Sequence, residues 1–185
     1  FPVQLNAKIL LGGAYDSNTE LMKDDLRTML PLIEPYTDLG FTFVNNISDT
    51  LPNNDVFQIT GNDAIVDWIF VELRDKLDNT IIVETRSALL QADGDIVDTD
   101  GISPLSFTSM GDNYFVAFHH RNHLPIMTST AIELNYEAIA FDFSTSFSNI
   151  AGVNNAVENL GNGKFGLISG DFNGDGQIQN SDATS

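Results

Sequence analysis

The 185-residue sequence predicts an all-β fold, an antiparallel β-sandwich with one short helix. Three observations carry that expectation. Short apolar runs recur along the chain and are punctuated by Gly, Asn, Asp and Pro, the pattern of many strands joined by turns. Several runs alternate apolar and polar residues, the period of a strand with one face buried. Hydrophobic residues make up 42% of the chain, enough to build a packed core despite its acidity.

The elements follow in order. "VQLNAKILLGGAY" sets Val3, Leu5, Ala7 and Ile9 against Gln4, Asn6 and Lys8, a half-buried strand entering a Gly-Gly turn. "TELMKDDLRTMLP" spaces Leu21, Met22, Leu26, Met29 and Leu30 as a helix does, with Thr19 as a cap and Pro31 as a stop. The stretch from Pro31 to Asp55, with three prolines and many Asn, reads as a long loop with one strand at "FTFVNN". "AIVDWIFVELRD" and "TIIVETRSALLQAD" are the strongest strand candidates and predict a hairpin turning at Lys76 to Asn79. Trp68, in the middle of the first, reads as core. Further strands are expected at "PLSF", "NYFVAFHH", "IELNYE", "AIAFDF" and "KFGLISG".

Charge and composition narrow the partners. Eight Lys+Arg against 26 Asp+Glu give a net charge of −18, which repels nucleic acid and anionic membrane surfaces and leaves cations, neutral sugars and basic surfaces. With no cysteine, there is no disulfide, no thiolate zinc site and no thiol nucleophile. No apolar run is long enough to span a membrane, and Phe1-Pro2-Val3 lacks the regions of a signal peptide, so no membrane insertion is expected and the sequence reads as a mature chain or excised domain.

The stretch "DFNGDGQIQNSD" carries the sharpest local signal. Asp171, Asn173 and Asp175 take the first, third and fifth places of a twelve-residue cation loop, Gly176 the turning sixth, Gln177 the carbonyl seventh and Asp182 the twelfth. Ile178 is the apolar eighth residue that pins such a loop to a core. All-oxygen donors at this spacing point to Ca2+, against the plainer reading of an Asn/Gly/Asp-rich turn. The chain then divides into a sandwich over 1–168 and a calcium loop over 169–185. A weaker second calcium candidate is Asp93, Asp95, Asp98 and Asp100 in "QADGDIVDTDG", where ordinary Asp-Gly turns are the favoured reading.

Ligand binding has fewer signals. "FHHRNHLPIM" holds all three histidines, His119, His120 and His123, beside Arg121 and Asn122. Adjacent strand residues point to opposite faces, so His119 and His120 cannot share a metal from a regular strand; a zinc site would need His123 and a distant carboxylate, and a polar cluster at a strand end is the favoured reading. His120, Arg121 and His123, with Tyr114 and Tyr136 as aromatic platforms, are the candidate sugar-binding residues. Asp67, Glu72 or Glu84 could be paired on paper as glycosidase acids, but in so acidic a chain such pairs arise by chance. No nucleophile elbow, zinc-protease helix, phosphate loop or dinucleotide fingerprint is present, and nothing demands an enzyme.

Together, "AYDSNTELMKDDLR", "EPYTDLGF", "AIVDWIFVELRD", "ALLQADGDIVDTDG", "YFVAFHHRNHLPIM" and "SGDFNGDGQI" resemble a module found near the C-terminus of large multidomain proteins secreted by gliding bacteria, over nearly the whole chain. The loop resembles the calcium loop of dockerin modules, with Asp rather than Glu at its twelfth place. Dockerins carry two such loops, and this chain has one. "DTDGISPLSF" leading to "YFVAFHH" looks like the end of a transthyretin-like or carboxypeptidase-regulatory-like β-sandwich, so a transthyretin-like or immunoglobulin-like sandwich is expected. The resemblance implies a secreted, extracellular or cell-surface accessory domain of adhesins and polysaccharide-degrading enzymes. On that view its partner is a polysaccharide or cell-surface glycan and other domains of the same chain. A structural anchoring module without a glycan ligand is the alternative, and a polysaccharide-acting enzyme domain a more distant one.

Overall fold

The computed structural model describes residues 1–152 and 155–184. It is mostly β, with 43% of its residues in strands, and no helix reaches seven residues among those described. The described residues form thirteen strands: β1 (Pro2–Lys8), β2 (Tyr15–Asp16), β3 (Leu21–Met22), β4 (Ile65–Asp75), β5 (Ile82–Gln91), β6 (Asp95–Val97), β7 (Leu105–Met110), β8 (Asp112–His120), β9 (His123–Met127), β10 (Ile132–Leu134), β11 (Ile139–Asp142), β12 (Val157–Gly161) and β13 (Lys164–Leu167). Nine of them share one sheet, in the order β10-β8-β4-β5-β6-β1-β11, with β7 also on β1 and β9 also on β8. Its pairings are antiparallel except β1 with β11.

The expected hairpin is β4–β5, paired from Ile65↔Gln91 to Arg74↔Ile82 with register shifts between Ile65 and Asp67 and between Leu73 and Arg74. Its near-continuous apolar sequence is explained by burial on both faces. Ile69, Val71 and Leu73 pack with Val3, Leu5, Leu90, Val116 and Phe118 on one side. On the other, Ile65, Trp68, Phe70 and Leu89 are covered by Leu30, Tyr36, Leu51 and Phe57 from the segment between β3 and β4. That segment is therefore a lid over the smaller of the two core clusters. The Trp68 indole donates to the Pro31 carbonyl at 2.9 Å, and the Tyr36 hydroxyl donates to the Trp68 carbonyl at 2.9 Å. Trp68 is fully buried, which places it in the core as its sequence context predicts.

Two expected elements differ. The helix over "TELMKDDLRTMLP" is absent: Leu21 and Met22 form β3, and only Arg27–Met29 make a single 3₁₀ turn. So short a helix is marginal in water unless its apolar stripe packs. Here the stripe is split, since Met22 is buried and bonded through its backbone to Ala92, while Leu26 and Met29 face solvent. "FTFVNN" forms no strand. It is held by the Thr85 amide on the Val44 carbonyl and the Val44 amide on the Thr85 hydroxyl, while Phe41 and Phe43 pack on Phe70.

Candidate functional site

The β8–β9 hairpin builds the site. β8 ends at His120 and β9 begins at His123, and the register makes these two residues direct cross-strand partners. Their side chains therefore share a face. His119 points the other way, as alternation requires, with Nε2 3.1 Å from Glu72 and its ring edge-on to Phe41 and Phe70. Behind the hairpin turn runs the segment after β13. His123 bridges to Ser169, and the Gly170 amide donates to the Asn122 carbonyl at 3.0 Å.

His120 and His123 are both buried. His123 Nε2 lies 2.9 Å from the Gly12 carbonyl oxygen. A carbonyl only accepts, so this nitrogen carries the proton. Burial, aided by the neighbouring His120, pushes the His123 pKa down to about 4, so near neutral pH the ring is uncharged and Nδ1 is an acceptor. His120 Nδ1 is 2.9 Å and Asn122 Oδ1 2.8 Å from that atom. At its other edge His120 Nε2 lies 3.3 Å from Asp67 Oδ2 without a hydrogen bond, and that oxygen accepts from Arg121 at 2.6 Å. Asp67 Oδ1 is held by the Trp68 amide at 2.8 Å.

These groups line a cleft of about 340 Å³, with Lys23, Asp25 and Ser169 as further polar walls and Leu11, Ala14, Leu26 and Val66 as apolar ones. That volume lies within the range of small-molecule sites. A larger cleft of about 760 Å³ beneath Pro31–Leu39 shares only Arg121 with it.

The structure thus brings together His120, Arg121 and His123, but neither candidate tyrosine joins them. Tyr114 is buried, with its hydroxyl donating to the Met110 carbonyl at 2.7 Å, and so offers no platform. It lies near the start of β8, six residues or roughly 20 Å of strand from His120. Tyr136 is exposed and sits against Phe1 just beyond β10, whose Leu134 pairs with Asp112 at that same far end. The contributions of Gly12, Lys23 and Asp67 come from distant segments. The pairing of His120 with His123 had a signal in the sequence: two residues between two strands place i and i+3 opposite each other.

The acids drawn on paper as a catalytic pair are far apart in role. Glu84 is fully buried and accepts from the amides and hydroxyls of both Thr108 and Ser109. Burial pushes the Glu72 carboxyl up, but His119 and Arg74 beside it outweigh this and hold it below the ordinary range. Both carboxylates are engaged in holding strands together.

The acidic loop folds around its own backbone. Asp171 accepts from the amides of Asp175 and Gly176 at 3.1 and 3.0 Å, and Asp175 from that of Gln177 at 2.9 Å. Asp182 accepts from Phe172 at 3.0 Å and Gln179 at 2.7 Å. Gly174 and Gly176 both take positive φ, as the sharp turn requires. An ion would need these oxygens' remaining lone pairs, and the all-oxygen donor set of Asp171, Asn173, Asp175, Gln177 and Asp182 fits a hard cation such as Ca2+. Among the described residues no group of three or more acids or histidines is gathered for a metal. At the second candidate the Lys8 ammonium stands between Asp93 and Asp95, 3.0 and 3.2 Å away. Asp98 pairs with Arg86, and Asp100 caps the turn at Ile102 and Ser103. These four acids do not converge, and a lysine supplies the cation where calcium was considered.

Comparisons with protein-family models, curated proteins and solved structures find no match for this chain. The fold and the cleft define its class: an all-β chain with a histidine-bearing cleft of mixed polar and apolar lining.

Proposed function

We propose that the chain is a non-catalytic, calcium-supported binding module of transthyretin-like sandwich architecture that takes a carbohydrate in the β8–β9 cleft. In this reading it works outside the cell as an accessory domain of a larger adhesin or polysaccharide-acting protein. The observation that carries it is the junction of the two predicted sites. The Gly170 amide, one residue before Asp171, is bonded to the Asn122 carbonyl at the mouth of the cleft. An ion ordering the loop would thereby steady the turn that presents Arg121 and Asn122. The cleft itself mixes hydroxyl, amide and charged groups with apolar walls, which suits the two-sided surface of a sugar ring.

The charge of −18 favours neutral glycans over strongly anionic ones. A specific observation favours the anchoring alternative: Tyr114 is buried and no aromatic platform lies at the cleft.

The test is calcium titration of chelator-stripped protein by calorimetry, followed by thermal melts with neutral and sulfated polysaccharides, with and without the ion. The module reading expects one calcium equivalent and a glycan-dependent rise in Tm that Arg121→Ala and Asn122→Ala abolish. Calcium binding with no glycan shift would transfer the assignment to an anchoring role.

A further inference from the structure

We propose that Tyr136 and Phe1, with the open groove beside them where β8 begins, form a second binding surface that takes a single chain of a neutral polysaccharide. It lies at the far end of β8 from the histidine cleft and does not rest on the reading of that cleft.

Large apolar side chains left in water point to an interaction site when they cluster and are rimmed by polar groups. Tyr136 is 61% exposed and Phe1 84%, and their rings stand 5.8 Å apart at a tilt of 55°. Met110, also exposed, pairs with Pro2 and places its sulfur 3.8 Å from the Phe1 nitrogen, which extends the patch. The backbone under the platform is fixed, because the Gln4 amide on β1 donates to the Asn135 carbonyl at 2.9 Å.

Beside this platform is a groove of about 310 Å³, at the lower end of the range of small-molecule sites. Two of its walls, Asn135 and Gly111, are the sequence neighbours of Tyr136 and Met110. Two more, Asn113 and Glu133, are exposed and are direct cross-strand partners, so their side chains stand together on one face with Cβ atoms about 4.5–5.5 Å apart. An amide beside a carboxylate offers donors and acceptors at once, which matches adjacent hydroxyls, each of them both donor and acceptor. Asn135 gives its Oδ1 to the Glu137 amide at 2.8 Å and so keeps both side-chain N–H donors. Asp112 closes the groove, held by Lys76 at 2.6 and 2.8 Å. A pyranose ring has an apolar C–H face and a rim of hydroxyls, so it uses the platform and the groove together. Glu133, Glu137 and the net charge of −18 turn away anionic chains and nucleic-acid bases, which an exposed aromatic would otherwise stack. The tilt between the two rings favours a chain that twists from one residue to the next over a flat crystalline face.

The experiment is native affinity electrophoresis of the full chain through gels containing β-1,3-glucan, xylan or galactomannan, with dextran sulfate as the anionic control. Retardation by a neutral polymer and none by dextran sulfate is expected. It should persist in a background of Arg121→Ala with Asn122→Ala, which disables the cleft. In that background Tyr136→Ala should weaken binding about tenfold or more. Asn113→Ala with Glu133→Gln should weaken it about threefold or more. All three substituted side chains are exposed, and circular dichroism checks that the variants fold. Should the cleft background itself not fold, NMR of the wild-type protein decides the matter, because the glycan must shift the backbone amide signals of Asn113, Glu133 and Tyr136. No retardation by any of the neutral polymers, equal retardation by dextran sulfate, undiminished binding in the Tyr136→Ala variant of the cleft background, or shifts confined to residues 120–123 would overturn the proposal. Loss of cleft binding alone would count against the cleft reading and leave the platform standing.

Discussion

Glu84→Gln separates a structural carboxylate from a functional one. Glu84 lies on β5 and accepts from the Thr108 amide at 2.7 Å and the Ser109 amide at 2.8 Å, with both hydroxyls adding to the clamp on β7. Glutamine keeps the shape and one acceptor oxygen, which can serve Thr108. Its NH₂ then faces the Ser109 amide. The Ser109 hydroxyl can rotate to accept, but a backbone N–H cannot, so one buried donor is orphaned against another donor. Leaving a buried donor unsatisfied costs about 1–3 kcal/mol, and the opposed N–H groups push the loss to about 3 kcal/mol. For a chain of this size each kcal/mol moves Tm by about 2–4 °C, so a fall of about 6–12 °C is expected. Differential scanning calorimetry at neutral pH measures it, with the exposed Glu133→Gln as a control expected to stay within about 0.5 kcal/mol. A Glu84→Gln protein as stable as wild type would refute the reasoning and reopen the search for a role of Glu84 in chemistry.

Three further outcomes follow from the structure. Because the folded state holds the Glu72 carboxyl below its ordinary value, this group adds stability above about pH 4.5, which is lost as pH falls through the lower folded value; melts from pH 7 to 3 should show a flatter acid limb for Glu72→Gln, and parallel curves would contradict the assignment. With Lys8 already between Asp93 and Asp95, calorimetry should find one calcium equivalent in the wild type, and a second equivalent, removed by Asp93→Asn with Asp95→Asn, would show that the lysine does not hold that place. Gly94 has φ +98 and an added Cβ would lie 2.5 Å from the Ile9 carbonyl, so Gly94→Ala should destabilise by about 2 kcal/mol or more, read as a fall in the urea midpoint, whereas an unchanged midpoint would mean that the turn adjusts freely.

The strands were legible because they alternate or run apolar, and the β4–β5 hairpin announced itself through two such runs and a polar turn. What covers its second face was not legible. Nothing in a proline- and asparagine-rich stretch specifies that Leu30, Tyr36, Leu51 and Phe57 close over Trp68, since those contacts depend on where the loop returns and not on a local period. The missing helix has the same origin. Helical spacing in "TELMKDDLRTMLP" is real, but the Met22 backbone is drawn to Ala92 by tertiary pairing that overrides it.

The cleft was half written in the sequence. Strand alternation separated His119 from His120, and the same rule carried across a two-residue turn places His120 beside His123. Register hid this, because Arg121-Asn122 is not one of the Asn-Gly or Asp-Gly pairs that mark a tight hairpin. Asp67 held the other half. It is an acid inside the apolar run "AIVDWIF", and a buried carboxylate must be paired and hydrogen-bonded. The position that breaks a strand's hydrophobic pattern therefore implies a cationic partner elsewhere, and the structure supplies it from "HHRNH": Arg121, donating to Asp67 at 2.6 Å. Local rules fail most often where a chain has a site to build, and Asp67 and the histidine hairpin are two such failures that answer one another.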